Sequence, residues 1–208
     1  MRNILKAAAV LAVPVLLFLA VLQTALPRQR FPLHEPERRQ MQIAPVPPPP
    51  SPAVVCMAKS EFTTNAFKND CLGLSFSSAS LILGRINDGA PFVNISVPKA
   101  AYTMRVLAFE HKFQDLAAPE RKTAFLNSAR DSFARLHPKM KITRKEIITL
   151  GGAPAAYIGA EGNGAVERRF YFRTRGMWVE LTMRSTDKNF TKKIKPVQQA
   201  LLKTVKFH

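Results

Sequence analysis

Residues 7–22 carry only aliphatic side chains, Phe18 and Pro14, and a run like that restricts a chain more than any other feature of this sequence. Extended to 4–26, with Lys6 snorkelling at one interface, it is long enough to cross a bilayer as a helix. The competing reading is a cleaved signal peptide. Its cleavage sites are poor, because Gln23 stands two residues before Ala25 and Phe18 two before Ala20, where small side chains are wanted. A retained anchor is therefore expected. Arg2 and Lys6 lie on one side of the run and Arg28, Arg30, Arg38 and Arg39 on the other, so positive charge does not select an orientation. Long C-terminal domains translocate largely regardless of charge. The expected location is the bacterial inner membrane, single-pass, with the C-terminal domain in the periplasm.

The next stretch cannot fold. Positions 27–53 hold nine prolines, including Pro47, Pro48, Pro49 and Pro50 in a row, and few aliphatic residues. Such a composition favours an extended polyproline II spacer. A ligand for an aromatic peptide-binding groove is the functional alternative. The expected organisation is an anchor at 1–26, a tether at 27–55 and a domain at 56–208.

The chain has 208 residues, 31 of them Lys or Arg and 14 Asp or Glu, for a formal charge of +17. Residues 54–208 hold 25 of the basic and 12 of the acidic side chains, which leaves the domain at +13. That field attracts lipid headgroups, acidic polysaccharides or acidic proteins, and it also keeps a protein soluble. A cytoplasm-facing arrangement would turn the same charge toward nucleic acid, a partner the expected topology disfavours.

Cys56 and Cys71 fall together at the start of the domain. In an oxidising compartment their expected state is a disulfide, with two free thiols and a metal or redox pair as alternatives. Beyond them, short strand-like runs are expected at 72–76, 92–97 and 104–109. A helix is expected over 118–136, entered at Pro119 and closed before Pro138. Its Phe125, Leu126, Ala129, Phe133 and Leu136 share one face at helical spacing and are expected in the core. Four strands follow, at 142–150, 155–160, 166–174 and 177–184, separated by glycine-containing turns short enough to impose an antiparallel meander. A two-residue loop at Arg175-Gly176 sets Phe172 against Val179 and Phe170 against Leu181, and on the other face Arg173 against Trp178 and Tyr171 against Glu180. A last helix is expected from Lys195, with Val197, Leu201 and Val205 marking its buried stripe.

This order of elements, the segment Leu150-Gly151-Gly152-Ala153-Pro154-Ala155-Ala156 and the ending Leu201-Leu202-Lys203-Thr204-Val205-Lys206-Phe207 resemble the PsbP-like α/β/α sandwich, a group that includes DcrB-like envelope proteins. The resemblance covers residues 62–207. It implies an α+β fold, an antiparallel sheet with helices packed on it, and a non-catalytic binding or assembly role with no catalytic residue to carry over.

The residues themselves offer little chemistry. His111 and His137 lack a second ligand at metal spacing, and His137 reads as a helix C-terminal residue favoured by the dipole. Gly73-Leu74-Ser75-Phe76-Ser77 lacks the final glycine and the strand-to-helix setting of a nucleophile elbow. No metal, cofactor or catalytic residue is expected. The remaining candidate is the strand face bearing Arg169, Tyr171, Arg173 and Trp178, which on an open sheet would combine charge with a stacking surface. Two uses stand side by side, an anion-binding face and arginine stems packed on aromatics while pairing Glu167 and Glu180. The expectation is a membrane-tethered, non-catalytic binding module with a basic surface for an anionic partner. An enzyme with a site assembled from distant residues is the alternative.

Overall fold

The computed structural model describes residues 48–112, 116, 118–187 and 189–208; the expected anchor at 1–26 and the tether up to residue 47 lie outside them. Among the described residues no helix is long and apolar enough to cross a membrane.

Order begins earlier than position 56. Ser51 accepts from the Val54 N–H at 3.4 Å and Pro52 occupies the first turn, so a short helix, α1 (Pro52–Met57), starts immediately after the proline run. It buries Ala53, Cys56 and Met57. Residues 52–55, assigned above to the tether, therefore belong to the folded unit.

Among the described residues eleven strands follow in two antiparallel sheets. β1 (Ser60–Phe62), β2 (Ala66–Asn69), β3 (Leu74–Ser77) and β11 (Lys206–Phe207) form the smaller, in that order. The larger contains β4 (Leu83–Ile86), β5 (Phe92–Val97), β6 (Tyr102–Phe109), β7 (Lys141–Leu150), β8 (Ala153–Gly162), β9 (Ala165–Thr174) and β10 (Met177–Ser185), in the order β4-β5-β6-β10-β9-β8-β7. Between β6 and β7 lies α2 (Pro119–Leu136), and α3 (Lys195–Leu202) precedes β11. The fold is α+β, as expected. The β9–β10 register pairs Phe172 with Val179, Tyr171 with Glu180 and Arg173 with Trp178. Arg175 and Gly176 both have positive φ, 44° and 82°, which is what a two-residue turn between right-twisted strands requires.

Strand alternation divides the domain into two cores. Val106, Phe172, Val179 and Leu181 point from the large sheet toward α1, α3 and the small sheet, joining Phe67, Phe76, Met57 and Leu201. Ala156, Ile158, Tyr171 and Trp178 point the other way and meet Phe125, Ala129 and Phe133 of α2. A bulge between Ile142 and Arg144 lets Ile142 and Ile147, five residues apart, pack on the α2 side together. Leu136, expected in this core, is instead 64% exposed at the end of the helix.

On the opposite side Cys56 and Cys71 are disulfide-bonded, tying α1 to the loop between β2 and β3. Asn69, fully buried, secures the same junction: its Nδ2 donates to the Cys56 carbonyl and to Ser60 Oγ, each at 2.9 Å, and its Oδ1 accepts from Leu72 N–H at 2.9 Å.

Candidate functional site

Helix α2 lies over β7, β8 and β9 and reaches only the near side of β10. Beyond it the same sheet face runs on across β6, β5 and β4. The residues there follow from alternation: with Met104, Val106 and Ala108 turned into the first core, Thr103, Arg105, Leu107 and Phe109 must face outward.

Register then sets distant residues side by side. Arg85 pairs with Asn94, Asn94 with Arg105, Arg105 with Thr182 and Thr182 with Arg169, a single row across five strands. The adjacent row runs Leu83, Ser96, Thr103, Arg184, Glu167. Neighbouring strands stand about 4.8 Å apart, so Arg85 and Arg105 sit about 10 Å apart, with Arg184 between the level of β6 and the edge of α2. Arg85, Arg105 and Arg184 are exposed, and none of them joins an ion pair among the described residues. Arg105 stacks its guanidinium 4.9 Å above the Phe92 ring.

The four residues singled out from the sequence are placed differently. Tyr171 and Trp178 are buried beneath α2, with Trp178 stacked on Phe125 at 4.2 Å. Arg173 is exposed and donates to the Gly176 carbonyl at 3.4 Å. Arg169 is largely but not fully buried at the C-terminal end of α2, where Nε donates to Glu167 Oε1 at 2.5 Å, Nη1 lies 3.5 Å from Glu180 Oε1, and the guanidinium covers Phe133 at 4.8 Å. These four do not form an accessible stacking surface, because α2 occupies the space above it. Arg85 and Arg105 were missed, being remote in sequence. The alternation of Thr103 and Arg105 with Met104 and Val106 was the available signal.

Burial by itself would lower the Arg169 pKa, but Glu180, Tyr171 and Glu167 outweigh it and hold the group above the ordinary arginine value. Burial, reinforced by Glu180, raises the Tyr171 phenol well above its usual range. His137 moves down, first through burial and then through Arg169. A neutral imidazole fits its contact, since Nε2 stands 2.6 Å from Arg169 Nη2, which can only donate. The helix dipole, which would favour a protonated ring, is overridden here.

His137 therefore gives a testable pH dependence. Its folded pKa lies below the unfolded value of about 6.5, so its contribution to stability is present above that value and lost as pH falls through the folded one. His111, also lowered by burial and by Lys112, acts with the same sign. Urea midpoints measured downward from pH 7.5 should begin to fall below about 6.5. The fall should be smaller in His137→Asn and nearly absent over the same interval in His111→Asn/His137→Asn. A wild-type midpoint flat to pH 5 would contradict this.

Two grooves flank Arg169. One, of about 860 Å³, lies between α2 and the outward face of β6 and β10 and is walled by Leu107, Phe109, Phe125, Ser132 and Phe133. The other, of about 420 Å³, holds Arg85, Arg105, Arg184 and Thr182. Elsewhere Ser75 Oγ and His208 Nε2 are 2.7 Å apart. The pair is exposed, Ser75 sits in the regular strand β3, and among the described residues no carboxylate hydrogen-bonds the imidazole, so the elements of nucleophile activation are not assembled there.

No family model and no curated protein matches the chain. Among solved structures, it is similar to the solution structure of cyanobacterial PsbP (CyanoP) from Synechocystis sp. PCC 6803, with a TM-score of 0.50 and 9% identity over 71% of this chain and 95% of that one. A crystal structure from Bacteroides thetaiotaomicron aligns over 71% of this chain and 49% of its own length, with 12% identity and a TM-score of 0.45. The type VI secretion immunity protein TplEi of Pseudomonas aeruginosa, solved with a peptide, aligns at a TM-score of 0.37, with 12% identity over 71% of this chain and 55% of that one. The CyanoP likeness shows a PsbP-like fold.

Proposed function

We propose that this PsbP-like domain is a membrane-tethered, non-catalytic binding or assembly module of the bacterial cell envelope, and that the open half of its large sheet engages an anionic partner. The observation that carries the reading is the group Arg85, Arg105 and Arg184, three exposed guanidinia set on one face by strand register and outside every ion pair of the described residues. Arginine's planar fork suits carboxylates and phosphates, and a rigid sheet holds the forks in place at little entropic cost. Nearby Arg169 is already committed to Glu167 and Glu180 and serves the fold. The apolar run at 7–22 and the proline-rich stretch after it support anchoring and reach, with the domain on the periplasmic side of the inner membrane.

The test uses residues 47–208, which contain both cores and the disulfide. This fragment should sediment with vesicles of phosphatidylglycerol and phosphatidylcholine but not with phosphatidylcholine alone, and the association should fade between low salt and about 0.5 M as screening shortens the reach of exposed charge. Replacing Arg85, Arg105 and Arg184 together by Gln should weaken it about 100-fold, at roughly 1 kcal/mol for each basic residue near an anionic surface. Undiminished binding by the triple variant would move the contact to another part of the basic surface.

A further inference from the structure

The surface beside α2 changes character along its length in a way that a purely ionic contact does not require. On β6, the strand that carries Arg105, the next two outward residues are Leu107 and Phe109, both half-buried. Facing them across the groove are Phe125 and Phe133 of α2. The groove of about 860 Å³ at this apolar end and the one of about 420 Å³ at the basic end share Arg169 in their walls and follow one another along β6, so the face beside α2 passes from Leu107 and Phe109 to arginines outside the ion pairs of the described residues. Each groove has the volume of an ordinary small-molecule site, and water against the half-buried Leu107 and Phe109 is readily given up to hydrocarbon.

We infer that the two grooves act as one channel for a single-chain anionic amphiphile, with its acyl chain lying along β6 beside α2 and its headgroup at Arg105 and Arg184. The inference rests on the anionic-partner reading and adds the apolar half of the ligand. From Phe109 to Arg105 the strand advances about 14 Å, so an extended chain of medium length places one end at the rings while the other reaches the arginines. A peptide suits the channel less well. The floor is a sheet face whose backbone groups are already paired within the sheet, and a peptide's own amides would find no backbone partners along β6.

Trp178 makes the arrangement measurable, being the single tryptophan of the chain and stacked on Phe125 behind the apolar wall. The full chain, held in nanodiscs of phosphatidylcholine, is titrated with dodecanoate brominated at its terminal carbon or at its α-carbon. Terminal bromine should quench Trp178 saturably and α-bromine should not, because the headgroup end lies at the arginines. Dodecyl phosphate and unlabelled dodecanoate should each displace the probe, their relative strength telling a lipid phosphate from a free fatty acid, whereas dodecanol should not. Arg105→Gln/Arg184→Gln should weaken binding by about tenfold or more. Ser132→Phe, or Ser128→Phe, fills the channel and should abolish quenching in whichever variant keeps the wild-type near-ultraviolet circular dichroism. Equal quenching by both bromine positions, or quenching indifferent to these blocking variants, overturns the inference. If inorganic polyphosphate binds through the arginines and dodecanoate does not bind, the amphiphile is excluded and the anionic-partner reading stands.

Discussion

Replacing Arg169 by Met should cost about 3–5 kcal/mol, the largest effect expected of any single substitution in this domain. Glu167 and Glu180 are 2% and 8% exposed, and without the guanidinium both carboxylates would be left in the interior with no counter-charge. His137 would lose its donor and Phe133 the cation above its ring. Removing all three charges, with Arg169→Met/Glu167→Gln/Glu180→Gln, should recover much of the loss, since a neutral cluster carries no desolvated charge. Chemical denaturation of the three proteins checks this, and an Arg169→Met variant within about 1 kcal/mol of wild type would show that the cluster is not what holds α2 to the sheet.

The disulfide carries the second large effect. Cys56 and Cys71 are 15 residues apart, and closing a loop of that length is expected to stabilise by about 3 kcal/mol through the unfolded chain. Cys56→Ala/Cys71→Ala should therefore lower the melting temperature by roughly 6–12 °C for a domain of this size. Asn69 would still join β2 to the end of α1, so the variant should fold, with local opening concentrated at α1 and visible as faster amide exchange at Met57 and Ala58. A melting temperature unchanged by the double substitution would mean that the Asn69 contacts fix the junction unaided.

Which parts of this architecture could be read in advance follows from where side-chain pattern and backbone choice agree. The β9–β10 register was legible because one alignment satisfies both faces at once, with Phe172 against Val179 and Arg184 against Glu167. Helix α2 was legible from Pro119 and from the proline at position 138 that prevents its continuation. β4 was not, because all four of its residues are exposed and no alternation marks it. Helix α1 was hidden by its six-residue length and by the prolines that run into it. For the site, period-two spacing correctly put Arg169, Tyr171, Arg173 and Trp178 on one face, but periodicity cannot say which half of that face a helix will cover. The row from Arg85 to Arg169 depends on the pairing of β6 with β10 across an intervening helix and three strands, a tertiary choice that no local pattern encodes.

The division of the interior by the large sheet has an evolutionary side. Along β10 each step of one residue moves a side chain from one core to the other, so Val179 and Leu181 answer to the disulfide-bearing side while Glu180 and Thr182 answer to the side with the grooves. Substitutions on opposite faces share few partners, and their effects should be close to additive. The outward residues of β4, β5 and β6 can thus drift toward a new ligand without taxing the packing that keeps the domain folded, and a duplicated copy could acquire a different specificity by changes confined to that one surface.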